Sequence, residues 1–131
     1  MEIKTSELTG AALDWAVAKA TGELVYENGE PVEVNFCRNK DDGSVYFWTC
    51  DHSFGYQPST DWAQGGPLID RYRPDLQTTG GVGLVAYLNN DARDPDPLID
   101  GHGETYLEAL CRSIVAYELG DTVDVPEELL G

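Results

Sequence analysis

Two dipeptides limit what this chain can fold into. Asn28-Gly29 and Asp42-Gly43 are strong signals for two-residue hairpin turns, because Asn, Asp and Gly tolerate the left-handed backbone such turns need. They lie among runs rich in β-branched and aromatic residues: ELVYE at 23–27, VEVNF at 32–36 and SVYFWTC at 44–50. Val32, Val34 and Phe36 alternate with Glu33 and Asn35, which predicts a strand with one apolar and one wet face. Further strands are expected at MEIKT (1–5), LIDRY (68–72) and VGLVAYL (82–88). Short reversals of this kind favour antiparallel pairing.

Helical patterns bracket the β-rich middle. In SELTGAALDWAVAKATG, residues Leu13, Ala16, Val17 and Ala20 follow the i, i+3, i+4, i+7 spacing. Ser6 or Thr9 can cap this helix, Lys19 suits its last turn, and Gly22 fits the position just past its end. In ETYLEALCRSIVAYELG the stripe is Leu107, Leu110, Cys111 and Ile114, with Glu108 and Arg112 as an i, i+4 pair and Gly120 as the stop. The tail DTVDVPEELLG begins extended and can lay Val123 and Val125 on a sheet edge. LQTTGGVG reads as a mobile loop, and NNDARDPDPLIDGHG at 89–103, with Pro95 and Pro97, reads as irregular. The expected fold class is α+β: an antiparallel sheet packed with two main helices at about 6–21 and 104–119. At 131 residues and 41% hydrophobic, the chain suits a single domain over 1–131 with a core of its own.

Charge narrows the partners. The chain carries 24 Asp and Glu against eight Lys and Arg, a net charge of −16. Residues 1–88 hold 13 acids and six bases, and residues 89–131 hold 11 acids and two bases, so the excess is spread along the chain. Such a field repels nucleic acid phosphates and anionic membranes, and can attract a basic protein. No direct nucleic-acid or membrane contact is expected. The N-terminus has no apolar signal core and no run of 18 apolar residues exists, so the expected location is the cytoplasm.

Cysteine and histidine usage offers no obvious chemistry. Cys37, Cys50 and Cys111 are odd in number and widely spaced, which argues against a disulfide framework. Cys50-Asp51-His52 lacks a second ligand pair, so no metal site is expected, and neither is any cofactor. Asp100, His102 and Glu104 stand at alternate positions and could form an acid–base set, but a polar loop before the helix is the simpler reading. No catalytic residue is assigned, and the chain is not expected to be an enzyme.

FGYQPSTDWAQGGPLID at 54–70 is the segment that concentrates hydrogen-bonding and stacking groups. Pro58 holds Gln57 extended, and Ser59 can cap one short helical turn over 60–64. Gly65 and Gly66 are expected to stop that turn, and Pro67 to prevent its resumption. Backbone N–H groups at its start form an anion nest, with Phe54, Tyr56 and Trp62 to stack on a ring. Asp61 and Gln64 could take hydroxyls or a base edge, and Arg71 and Arg73 a phosphate. The candidate ligand-binding set is therefore Tyr56, Ser59, Thr60, Asp61, Trp62, Gln64, Gly65, Gly66, Arg71 and Arg73. The same residues also suit a loop that only satisfies itself, with Trp62 plugging the core.

Three blocks of the sequence resemble the phage NinX-like family of small proteins: KTSELTGAALDWAVAKATG, YQPSTDWAQGGPLID and LGDTVDVPEEL. The resemblance implies a phage accessory protein acting in the host cytoplasm, and carries no biochemical activity with it. Two functions are expected, the first as the leading reading and the second, motivated by the net charge, as its alternative. One is a non-enzymatic binder that sequesters a small nucleotide-like immune signal, cyclic ADP-ribose-like or a cyclic oligonucleotide, in a homo-oligomer. The other is an acidic protein–protein inhibitor of a basic nuclease or nucleic-acid-binding host effector.

Overall fold

The computed structural model describes residues 1–21, 26–27, 30–31, 35–38, 40–41, 45–48, 56–78, 83–88, 99–125 and 129, with the strands between 26 and 48 described by their backbone. Its centre is helix α3, Tyr106–Leu119, whose Thr105 cap accepts the Glu108 N–H on Oγ1 at 3.1 Å. Leu107, Leu110, Cys111 and Ile114, the expected stripe, are all buried, and Gly120 ends the helix at φ 95°.

The face of α3 away from solvent rests on a three-stranded antiparallel sheet of β6 (Asp75–Thr78), β7 (Leu84–Leu88) and β8 (Ile99–Gly103), in that order. Strand β8 corrects the expectation of irregular chain up to residue 103, and β6 replaces the start of the expected mobile loop. The reason lies in two glycines. A Cβ on Gly101 would stand 2.3 Å from the Ser113 nitrogen and 2.4 Å from the Ala109 oxygen, and one on Gly103 would stand 2.8 Å from the Ala109 nitrogen. The strand face that meets α3 has almost no side chains, so the helix backbone lies close against it and the usual apolar alternation is missing from the sequence.

Helix α1, Gly10–Thr21, packs against α3 and is buried over Ala12–Ala18, including Asp14 and Trp15. It starts later than expected, after a 3-10 turn over Thr5–Glu7. Strand β1 (Glu2–Lys4) pairs with β9 (Thr122–Asp124), and Val123 and Val125 are buried as the tail pattern predicts. Two further antiparallel pairs are β2 (Tyr26–Glu27) with β3 (Glu30–Pro31), and β4 (Asn35–Arg38) with β5 (Val45–Trp48). Glu27 opposite Glu30 fits a two-residue connection at Asn28-Gly29, although the turn itself, Asp42-Gly43, and Val32 and Val34 lie outside the described residues. The fold is α+β as expected, with a further α-helix beside the two main ones among the described residues and antiparallel pairing divided among several small sheets.

The additional helix is α2, Trp62–Tyr72. It runs through Gly65, Gly66 and Pro67, which corrects the expected stop, and it contains LIDRY, which was expected as a strand. Gly65 is needed for packing: a Cβ there would meet the Pro58 oxygen at 2.5 Å and Leu107 Cδ2 at 2.6 Å. Pro67 is exposed, and the carbonyl it cannot bond belongs to exposed Ala63 near the helix start, where water can take it. Leu68 anchors the inner face and Ile69 and Tyr72 pack partly against the core. No helix among the described residues is long and apolar enough to cross a membrane.

Candidate functional site

The 56–73 segment divides into buried, locally bonded and exposed parts. Tyr56, Pro58 and Ser59 are buried. The Ser59 N–H donates to Asp14 Oδ1 at 2.8 Å, which ties the segment to α1. Asp61, not Ser59, caps α2: its Oδ1 accepts the Ala63 N–H at 2.9 Å. The Thr60 and Asp61 N–H groups donate to the Gln57 carbonyl, and the Gln57 N–H donates to Gln64 Oε1. Asp61 therefore places its own carboxylate at the helix start, where an incoming anion would meet like charge.

The remaining candidates do not converge. Trp62 is 56% exposed and does not plug the core. Gly66 has open space above it. Arg71 sits 5.2 Å from the Tyr72 ring and its Nη1 donates to the Thr21 carbonyl at 3.4 Å, so it joins the end of α2 to the end of α1. Arg73 is the left-handed C-cap, with φ 50° and its N–H on the Ile69 carbonyl at 2.8 Å. Eleven helical steps separate Trp62 from Arg73, about 16 Å along the axis. The exposed part of the motif is thus an extended strip on one convex helix.

A cleft of about 860 Å³ opens elsewhere, beside β8. Its floor is Glu108, Arg112 and Ala116 of α3, an i, i+4, i+8 row, and its walls are Asp100–Glu104 on one side and Lys4–Ser6 with Thr9 on the other. Arg112 spans both walls. Its Nε donates to the Leu8 carbonyl at 3.0 Å, and its Nη1 donates to the His102 carbonyl at 2.6 Å and to Glu108 Oε1 at 2.7 Å. The exposed Asp100 and His102 side chains are 3.0 Å apart. The residues set aside as a polar loop before the helix therefore line a cavity, and the signal that pointed to them was the alternation of Asp100, His102 and Glu104.

Burial shifts the titration of two core groups, Cys111 and Asp14. Burial pushes the Cys111 thiol up, with Asp14 and Glu108 adding to the effect, so it is a poor nucleophile at neutral pH. Burial also raises Asp14 to about 7, against opposing hydrogen bonds from Ser59. No group of three or more His, Cys, Asp and Glu that could hold a metal occurs among the described residues. Cys50, Asp51 and His52 lie outside them.

A family model described as Bacteriophage P22, NinX matches residues 4–118. The chain belongs to this phage NinX family. The match runs from β1 through α3, so it includes both the α2 motif and the two main walls of the cleft. No curated protein matches the chain. NinX-family membership by itself names no chemistry, which has to be argued from the surfaces.

Proposed function

We propose that this NinX-family protein is a non-enzymatic accessory binder that covers a basic surface of a host protein, such as a nuclease or another nucleic-acid-binding effector. The observation that carries the reading is charge placed around a cavity. The chain has a net charge of −16, and its cleft is lined by Asp100, Glu104, Glu108 and Asp121 against Lys4 and Arg112. Arg112 is already matched by Glu108 at 2.7 Å, so the local balance is acidic. Electrostatic complementarity of this kind speeds encounter and selects basic partners.

The test is to identify the protein retained from host cells, reconstitute the pair from pure components, and follow affinity with salt. A steep loss of affinity between low and physiological ionic strength supports the reading, because exposed charges are screened within about 8–10 Å. Salt-insensitive association would remove its basis.

Exposed Trp62 favours a second reading, sequestration of a nucleotide-like signal on the outer face of α2. The ligand would have to bridge much of the strip, or a second copy of the chain would have to close the site. Native mass spectrometry of protein purified from cells making such signals tests it. A retained nucleotide of intact mass, lost in Trp62→Ala, supports that reading; ligand-free protein speaks against it.

A further inference from the structure

The unpaired edge of β8 opens into the cleft. Within the β6-β7-β8 sheet β8 pairs with β7 on one side, and among the described residues no strand pairs with its other side. The His102 carbonyl meets the Arg112 guanidinium on α3. In an antiparallel ladder backbone groups alternate in direction, so the Asp100 N–H and C=O turn to the same side as those of His102. Strands left open in this way are usually guarded by lysine, proline or a bulge. The β8 sequence, IDGHG, has neither lysine nor proline; Asp100 is the one charged residue on it, and among the described residues the His102 carbonyl is the one outward backbone group taken, by Arg112.

We propose that this cleft takes an extended, positively charged segment of a partner protein, which adds to the sheet as a strand beside β8. The proposal rests on the acidic-binder reading and gives it a site and a mode of recognition. Dimensions agree with it. The floor from Glu108 to Ala116 is about 12 Å long at about 1.5 Å per helical residue, the reach of roughly four extended residues at about 3.3 Å each. Charge agrees as well. With Arg112 and Glu108 matched, Asp100, Glu104 and Asp121 line the cleft with Lys4, an acidic excess at its walls. Backbone pairing supplies affinity that does not depend on partner sequence, and alternate side chains supply selection, as in other strand-addition complexes. The nearby His102 ring is held by Asp100 at 3.0 Å and adds to the polar rim.

The probe is a short peptide alternating lysine and valine, compared with the same peptide N-methylated at alternate residues and with a glutamate-for-lysine version. Two-dimensional amide NMR on the full chain reads the site, and titration reads affinity. The expected result is perturbation and slowed exchange at Asp100 and His102, with affinity about tenfold lower for the N-methylated peptide, the equivalent of one or two lost hydrogen bonds. The glutamate version should not bind. Asp100→Pro removes an edge N–H at a position where proline is compatible with an edge strand, and should weaken the lysine peptide to a similar extent. The N-methylated peptide keeps the test valid should that variant fail to fold. Equal affinity for methylated and unmethylated peptides, perturbations away from β8, or no binding at low salt each overturn the strand-addition site. The acidic-binder reading stands or falls separately, on the salt dependence of the reconstituted complex.

Discussion

The Ser59 backbone N–H donates to Asp14 Oδ1 at 2.8 Å, inside the protein, across 45 positions of sequence. This bond joins the start of the family motif to the middle of α1, and burial holds the Asp14 carboxyl at about 7 instead of 3.8. At neutral pH the carboxyl is therefore close to half protonated.

The pH dependence has a definite sign. Between 3.8 and about 7 the folded protein holds a proton on Asp14 that the unfolded chain has lost, so folding takes up a proton. The contribution is fully present below the unfolded value, falls as pH rises through this window, and levels off above about 7. Its ceiling is about 4 kcal/mol, at roughly 1.4 kcal/mol per pH unit. Asp14→Asn keeps an oxygen for the Ser59 N–H and has no charge to desolvate. Urea unfolding from pH 4 to 8 should show a shallower slope in the variant, which becomes the more stable protein at pH 8. Parallel curves would mean that Asp14 titrates normally.

Two glycines should respond in opposite ways to alanine. Gly101→Ala places a methyl 2.3 Å from backbone of α3, and neither partner is a flexible side-chain tip. A loss of about 3 kcal/mol or more is expected from such overpacking. Gly66→Ala puts a methyl into open space within a helix, and should leave stability unchanged or raise it by about 0.5–1 kcal/mol. Thermal unfolding of the pair distinguishes them, and similar melting points would contradict the close approach of β8 and α3.

Arg112 should matter more for cohesion than its position on a cleft floor implies. One guanidinium serves the Leu8 carbonyl, the His102 carbonyl and the Glu108 carboxylate. Arg112→Ala leaves these acceptors dependent on water and should cost about 2–4 kcal/mol. Arg112→Lys supplies a point charge without the planar fork, and should recover only part of that loss. Urea midpoints for the three proteins measure the difference.

Trp62 and Tyr56 test which part of the motif is scaffold. Trp62→Ala removes a side chain that is already more than half exposed, so its effect on stability should stay below about 1 kcal/mol. Tyr56→Ala empties a buried site and should cost about 3–5 kcal/mol. A large loss for Trp62→Ala would make it a structural residue and remove the support for a ligand on α2.

Legibility in the sequence followed side-chain periodicity. Helix α3, the burial of Leu107, Leu110, Cys111 and Ile114, and the burial of Val123 and Val125 in the extended tail were readable because their packing uses apolar side chains at regular intervals; which strand the tail pairs with was not. Strand β8 and helix α2 were not, and glycine is the common cause. Gly101 and Gly103 make the strand's packed face by having nothing on it, while Gly65 allows α2 to press against Pro58 and Leu107. In both places backbone stands where pattern reading looks for hydrophobic side chains, and a glycine required for contact resembles a glycine that ends an element. The candidate residues of the motif were found as a segment, but proximity in sequence did not make them one site. Helical geometry puts Trp62 and Arg73 at opposite ends, and the cleft instead draws on residues from 4 to 122.

The alternation along β8 also separates two kinds of tolerance to substitution. A side chain at Gly101 or Gly103 would collide with α3. Asp100 and His102, between them, project into solvent and carry no packing duty. Substitution at those two positions would change the chemistry of the edge while the seat of the strand on α3 stays as it was.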